Sequence, residues 1–290
     1  MAIEPVTEIA RPNIIAAFQG WNDAGAAATT AVRYLIDAWK AEKFAEIDPE
    51  DYFSFTDTRP IVRITEGTQR ELTWPKNELY AYAGDQRTPA AVLLLGTEPN
   101  LKWRTFCAEI TGFAHQVAAR RVVTMGALIT DSVHTRPVPL TGFATDESIQ
   151  RKLSARNINR SSYEGPTGIV GTLHNLCLHA GLPTASIWAA TPYYLGSTPN
   201  PKCALGLLDA LDDALDLHLG LGELRQVASE FERQVSAAVG DNEDVQERIR
   251  ALEQAWDEGN PMLEQTQELP PAGTILEDLE SFLREQRRDE

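Results

Sequence analysis

The stretch IIAAFQGWNDAG, residues 14–25, decides the fold of this 290-residue chain. It begins as a short apolar run, passes through the polar turn WND between two glycines, and leads into an alanine-rich segment. Residues 13–18 are typical of a fully buried strand. Residues 24–39 are typical of a helix because their apolar side chains recur at steps of three and four. The stretch therefore predicts a strand, a tight turn and a helix in succession.

The rest of the chain repeats this alternation of apolar runs and amphipathic segments. Further strands are predicted at residues 90–95, 122–129 and 185–190. Further helices are predicted at residues 103–119, 147–156, 169–180 and 202–217. Residues 43–83 carry short β-rich runs broken by Pro and Gly, which predict antiparallel strands or an irregular insertion. Continuous apolar strands that alternate with helices indicate a mainly parallel sheet covered on both faces.

The charge of the chain is divided unevenly along its length. Residues 1–205 carry 20 acidic and 19 basic side chains, whereas residues 206–290 carry 22 acidic and 7 basic ones. We therefore expect an α/β core domain at 1–205 and an acidic helical extension at 206–290. Helices are predicted within the extension at residues 221–239, 245–258 and 274–287. We also expect the core to fold without the helices from residue 221 onward.

Composition argues against several classes of protein. A strongly acidic extension disfavours nucleic acid and anionic membranes, because binding to either depends on clustered Lys and Arg. The chain has no apolar run near 18 residues and no signal-peptide pattern at its start, so we expect a cytoplasmic protein without membrane contact. Cys107, Cys177 and Cys203 are an odd, widely spaced set. They predict buried free thiols, with no metal site and no cofactor.

The first turn supplies five candidate residues for a ligand or partner site. Ligands of open parallel sheets collect beyond the carboxyl ends of the strands. Gly20 permits a backbone angle that other residues resist, and Asn22 or Asp23 can cap the helix that follows. Gly25 lets another segment approach the first turn of that helix. For Asn22 and Asp23 we favour a strand–turn–helix junction with an ordinary cap. The large indole of Trp21 predicts packing against another loop, a partner chain or a ligand.

The second candidate loop is EGPTG, which consists of Glu164, Gly165, Pro166, Thr167 and Gly168. Thr167 can cap the predicted helix, and backbone amides at residues 168–169 can hold an anion at the helix start. The glycine spacing matches neither the dinucleotide fingerprint nor a P-loop. A tight turn with close packing is the competing explanation. Glu164 is the leading candidate for a functional acid, and we expect both loops to lie together at one sheet edge, each after a strand.

Other polar residues give weaker signals. Asp131, Ser132 and His134 follow a strand, but no G-x-S-x-G elbow surrounds the serine, and neighbours along one extended loop do not form a triad. His174 and His179 are five residues apart on one predicted helix, so they do not form a metal pair. We therefore expect no catalytic residue among them.

A further strand-to-helix junction carries Glu98, Lys102 and Arg104 in the segment GTEPNLKWRTF. The two cations could contact an anion. We favour a role on the helix surface.

Four ordered motifs reveal a resemblance to a known family. They are GWNDAG, GTEPNLKWRTF, YEGPTGIVGTLH and GLPTASIWAATPYY with the following PNPK. Over about residues 10–215 the chain resembles the proteasome assembly chaperone-2 family, in particular its actinobacterial-type members. The resemblance implies a three-layer α/β/α fold of the phosphorylase/hydrolase type, a C-terminal helical extension and self-association, with a trimer as the first expectation. Eukaryotic members act in assembly of the proteasome α-ring.

One feature departs from that family pattern. Chaperones of this kind that dock on the α-ring resemble one another in ending with a hydrophobic residue, a tyrosine and one more residue. The sequence ends QRRDE, residues 286–290. This charged end does not suit a pocket of the α-ring that accepts an apolar residue followed by a tyrosine. A direct proteasome role is therefore not expected from this segment.

The sequence is compatible with two functions. The favoured one is a non-enzymatic oligomer that binds protein partners in the manner of an assembly chaperone. The alternative is a small-molecule or anion-binding enzyme that uses residues 20–25 and 164–168, for which fold analogy alone is a weak argument. The sequence names neither a substrate nor a partner.

Overall fold

The computed structural model describes residues 9–65, 69–240 and 243–258. The strands of this part are β1 (Asn13–Gln19), β2 (Glu42–Ile47), β3 (Ile61–Thr65), β4 (Gln69–Thr73), β5 (Asn77–Tyr82), β6 (Ala91–Thr97), β7 (Arg121–Thr130), β8 (Leu140–Ala144) and β9 (Thr184–Pro192). The helices are α1 (Ala27–Trp39), α2 (Trp103–Gln116), α3 (Glu147–Ala155), α4 (Ile169–His179), α5 (Pro201–Leu215), α6 (Gly222–Gly240) and α7 (Glu243–Asp257).

Seven strands form one sheet in the order β2-β5-β6-β1-β7-β9-β8. The four central strands, β6, β1, β7 and β9, are parallel to one another. The outer strands β2, β5 and β8 each pair antiparallel with their neighbours. In the centre, Ile15 of β1 lies opposite Leu93 of β6 and Val123 of β7. Pairing on both sides places β1 in the middle of the sheet.

Both faces of the sheet are covered by helices. Ile15 and Ala17 of β1 point into a cluster formed with α1, α3 and α5, whereas Ile14, Ala16 and Phe18 point into a cluster formed with α2 and α4. Successive side chains of a strand point to opposite faces, so a strand buried on both sides is apolar throughout. The predicted three-layer α/β/α fold with a parallel centre and C-terminal helices is confirmed.

Residues 43–83 contain the antiparallel part of the molecule, as expected. β2 and β5 extend the main sheet, while β3 and β4 form a hairpin outside it. The edge strand β8 was not predicted from the sequence. β8 has only five residues, with Gly142 in the middle, and its apolar pattern is too short to stand out. Its pairing with β9 rests on tertiary context.

The helical part after residue 200 does not separate at the charge boundary. Residue 205 lies inside α5, whose apolar face belongs to the same core cluster as α1. α6 and α7 pack on Tyr193, Tyr194 and Leu195, which follow β9, while Leu224 at the start of α6 belongs to the cluster of α1 and α5. The division into core and extension therefore remains an expectation about folding, with the break between α5 and α6 as its structural candidate.

The helix predicted at residues 274–287 lies outside the described residues. Within residues 9–65, 69–240 and 243–258, no helix combines the length and apolar character needed to cross a membrane.

Candidate functional site

The first loop lies at the carboxyl ends of β1 and β6. β1 ends at Gln19, and the Gln19 carbonyl accepts a hydrogen bond from the amide of Glu98, which follows β6, at 2.8 Å. Gly20 adopts φ of +138°, a conformation that favours glycine. A Cβ at this position would also lie 3.0 Å from the Cβ of Glu98. Gly20 therefore lets the chain turn directly against Glu98.

Glu98 and Asn22 together cap helix α4. The Ile169 amide donates to Glu98 Oε1 at 2.7 Å, and the Val170 amide donates to Asn22 Oδ1 at a longer 3.4 Å. Glu98 Oε2 also accepts from the Trp21 amide at 3.3 Å. The first amides of a helix lack intrahelical partners, and a carboxylate there is favoured by the helix dipole. Glu98 thus joins the first loop to the start of α4 and brings the two predicted loops together.

Asp23 caps a different helix. Its Oδ1 accepts hydrogen bonds from the amides of Ala28, at 2.8 Å, and Thr29, at 3.1 Å, while its Oδ2 accepts from the Thr29 hydroxyl. Burial raises the pKa of this carboxyl, and the bonds from Thr29 and Ala28 oppose that rise. The predicted capping role of Asp23 is therefore observed, although α1 begins at Ala27, after a short 3-10 turn, and not at residue 24.

Gly25 allows a close approach between two segments. It has φ of +61°, its amide donates to the Gly196 carbonyl at 2.7 Å, and its carbonyl accepts from the Asn200 amide at 2.7 Å. Asn200 in turn caps α5 through the amide of Cys203 at 3.0 Å. A Cβ on Gly25 would lie 2.9 Å from the Cβ of Asn200, so the starts of α1 and α5 meet at this glycine.

The second loop differs from its prediction in two respects. It follows the irregular stretch after α3 and not a strand. Thr167 does not cap α4, because the partners of the first amides are Glu98 and Asn22. The side chains of Glu164, Pro166 and Thr167 are exposed. The Ile169 amide, expected to hold an external anion, is already bonded to Glu98.

Close packing accounts for the glycines of this loop. Gly165 lies under the ring of Tyr163, whose hydroxyl donates to the Pro166 carbonyl at 3.1 Å. Gly168 is buried, and a Cβ there would lie 2.0 Å from Asn22 Oδ1 and 2.6 Å from Glu98 Oε1. Trp21, at the other side of this junction, leaves 49% of its surface exposed. The expectation that Trp21 packs against a partner or ligand stays a prediction.

The segment with Asp131, Ser132 and His134 has no arrangement of nucleophile and base. Ser132 Oγ donates to the Ala190 carbonyl at 3.4 Å. The His134 ring contacts the Tyr194 hydroxyl, at 2.7 Å, and the Ser236 hydroxyl of α6, at 3.1 Å. Burial, with a smaller effect of the Lys202 charge, lowers the pKa of His134 to about 4. This histidine therefore links the segments that follow β7 and β9 to α6.

The cysteines are free and buried, as predicted. Burial raises the pKa of Cys107, Cys177 and Cys203 to about 12 in each case, which keeps the thiols protonated. Within the part of the chain that the structure describes, no three His, Cys, Asp or Glu side chains are grouped for metal binding.

An open cleft lies beside this junction. Its walls are α1, the carboxyl ends of β1 and β6, and the β3–β4 hairpin, and its volume is about 1090 Å³. Gly20 and Glu98 are among its lining residues, so the cleft borders the first loop. Residues of the second loop do not line it.

Glu98 is the central residue that the sequence analysis undervalued. The sequence places Glu98 at a strand-to-helix junction but favours Glu164 as the functional acid. The available signal was topological, since β6 is a parallel neighbour of β1 and the residues after both strands must meet at one edge. Lys102 and Arg104 are exposed as expected, and Lys102 pairs with Asp51 at 2.6 Å.

Comparison with known proteins agrees with this architecture. The sequence profile of the PAC2 family matches residues 17–239, which include both loops, most of the sheet and nearly all of α6. The chain belongs to the PAC2 family. A PAC2 family protein from Streptomyces avermitilis is 43% identical, with a TM-score of 0.73 over 82% of this chain and 99% of that one.

Other solved structures extend the comparison. The proteasome-assembly chaperone homologue of Mycobacterium tuberculosis is 37% identical, with a TM-score of 0.73 over 82% of this chain and 99% of that one. An archaeal proteasome activator of Pyrococcus furiosus, at 22% identity, shares the fold, with a TM-score of 0.62 over 82% and 96% of the two chains. A search of curated proteins returns no match. The resemblance inferred from the four motifs is confirmed.

Proposed function

We infer that this PAC2 family member is a non-enzymatic, self-associating protein that binds protein partners. The observation that carries this inference is the outer face of the β3–β4 hairpin. Val62 pairs with Leu72 across the hairpin, and Ile64 lies on the same face. These three side chains leave 53%, 57% and 69% of their surfaces exposed. An isolated two-stranded hairpin is only marginally stable in water. Burial of its exposed apolar face against another chain would therefore stabilise it.

The relatives are consistent with this role. A 37% identical protein is described as a proteasome-assembly chaperone homologue, and assembly chaperones act by contact with other proteins. The polar groups at this junction also have internal partners, since Asn22 and Asp23 of the first loop and Glu98 after β6 all cap helices. An enzyme that uses these loops has less support, because the amide proposed to hold an anion is occupied by Glu98.

The experiment is a measurement of molar mass by light scattering at micromolar concentration. For a trimer we expect about three times 32.0 kDa for the wild-type chain. The variant Val62→Thr/Ile64→Thr/Leu72→Thr keeps residues suited to strands while it removes the apolar face, and its mass should fall toward that of one chain. A matched control is Leu178→Thr/Val227→Thr, which changes two exposed apolar residues outside the hairpin.

Two results would contradict the proposal. A single 32.0 kDa species for the wild-type protein would remove self-association. An unchanged oligomer in the hairpin variant would place the contact on another surface.

A further inference from the structure

The cleft beside the first loop has an unusual set of charges. Three arginines line it, Arg33 on α1, Arg59 before β3 and Arg63 on β3. All three are exposed, and none makes a hydrogen bond or an ion pair with any residue in the described ranges. Lys76, the other cation on the wall, pairs with Glu78 at 3.3 Å. The arginines are therefore available to a ligand.

The acidic residues of the cleft offset these arginines only in part. Glu78 is bound by Lys43 at 2.6 Å as well as by Lys76, and Glu98 is held by backbone amides. Asp57 is the remaining carboxylate on the wall. The cleft is thus locally cationic in a chain whose formal net charge is −16. Opposite charges on walls and ligand favour encounter and binding in such a cleft.

The same walls also carry exposed apolar side chains. Ile61 and Trp74 line the cleft with 59% and 44% of their surfaces exposed. Because alternate residues of a strand point to opposite faces, the outer residues Val62 and Ile64 do not line it. The cleft therefore suits a segment that combines carboxylates with apolar side chains, and it is separate from the outer face of the hairpin.

The chain itself contains a segment of that chemistry. Residues 259–283 carry five acidic side chains and no Lys or Arg. Within them, TILEDLESFL at residues 274–283 combines Glu277, Asp278 and Glu280 with Ile275, Leu276, Leu279, Phe282 and Leu283. We propose that residues 274–283 of this chain occupy the cleft, with their carboxylates on Arg33, Arg59 and Arg63 and their apolar side chains on Ile61 and Trp74.

Chain length permits this contact. The described part ends at residue 258, so sixteen further residues lead to residue 274. At about 3.3 Å per extended residue they span up to roughly 50 Å. A compact domain of this size has a radius of gyration of about 19 Å. The segment can therefore reach the cleft of its own chain or that of a neighbouring copy.

The test uses the full-length chain with Ser281→Cys labelled by bimane, a fluorophore that tryptophan quenches at short range. The native cysteines are at most 1% exposed, so the label is selective. We expect quenching that is lost in Trp74→Phe, in Arg59→Glu/Arg63→Glu, and at 1 M salt, where the screening length falls to about 3 Å. The matched control Arg87→Glu/Arg151→Glu changes two exposed arginines outside the cleft and should keep the quenching.

The outcomes are distinct. Equal bimane emission with Trp74 and with Phe at that position would overturn the proposal, and loss of quenching in the control variant would do so as well. Labelled Trp74→Phe chains mixed with unlabelled wild-type chains then identify the cleft that is occupied. Quenching in the mixture places the segment on a neighbouring copy, and its absence places it on the same chain. Either result supports the proposal if Trp74 quenches the unmixed chain.

Discussion

The start of α4 depends on the absence of one side chain. Gly168 has φ of −97° and ψ of −169°, a backbone conformation open to any residue. Its requirement for glycine is therefore steric, since a methyl group would lie 2.0 Å from Asn22 Oδ1. The two side chains that cap α4 approach through the space that a larger residue would fill.

We predict that Gly168→Ala lowers the free energy of unfolding by about 1–3 kcal/mol, because it displaces Asn22 and Glu98 from the helix amides. Chemical denaturation of the variant and the wild-type protein measures this difference. Gly112→Ala is the matched control, since nothing lies within 4 Å of its added methyl group. Gly112 is inside α2, where alanine is favoured over glycine by about 1 kcal/mol, so the control should gain stability. Equal stability of the two variants would contradict this account.

At the residue scale, local roles were more predictable than distant ones. Asp23 caps the helix that follows it, a contact five residues away that sequence pattern can anticipate. Asn22 caps α4, 148 residues away, and Glu98 does so from another strand end. Neither contact has a local signature, because each is created by the order of the strands in the sheet.

At the scale of elements, a short segment after β7 holds the C-terminal helices. The guanidinium of Arg136 pairs with Asp257 at 2.8 Å and Glu253 at 3.3 Å, both on α7. His134 contacts Ser236 of α6, and its carbonyl accepts from Lys202 at 2.5 Å. Arg248 of α7 lies 5.0 Å from the ring centre of Tyr193. The attachment therefore combines these polar contacts with the apolar cluster that α6 and α7 form on Tyr193, Tyr194 and Leu195.

We predict an acid-sensitive contribution to stability from His134. Its pKa is about 4 in the folded protein, lowered by burial, against an ordinary value of 6.5. Below pH 6.5 the His134 imidazole becomes protonated in the unfolded chain but stays neutral in the folded protein. The free energy of unfolding therefore falls as the pH falls toward 4. Between pH 6.5 and 5 the loss is about 1–2 kcal/mol. Denaturation curves at both pH values should show this loss in wild type and a smaller one in His134→Gln, and equal losses in the two proteins would refute the assignment.

The elements themselves were predicted unevenly. Long apolar strands such as β1 and β7 were recognised, because burial on both faces leaves a continuous signal. β8 is not predicted because it is a short edge strand, and α1 begins three residues later than predicted because Ala24–Ala26 first form a 3-10 turn.

At the scale of the whole molecule, the last helices are an addition to a sheet already covered on both faces. We predict that a chain deleted from Glu223 onward still unfolds in one cooperative transition, since α1, α3 and α5 remain on their face. The midpoint should fall by about 10 °C, because Tyr193, Tyr194 and Leu195 lose their cover from α6 and α7. Calorimetry or circular dichroism measures the transition. An insoluble or molten product would show that α6 and α7 complete the core.

The position of β1 also has a consequence for the order in which the molecule can form during synthesis. β1 ends at Gln19, but its partners β6 and β7 end at Thr97 and Thr130. β2 and β5 emerge earlier, yet they join the sheet only through β6. A ribosome that has made the first 90 residues therefore presents a seven-residue apolar strand with neither of its neighbours. The nascent chain must keep that strand from other partners until its own are translated.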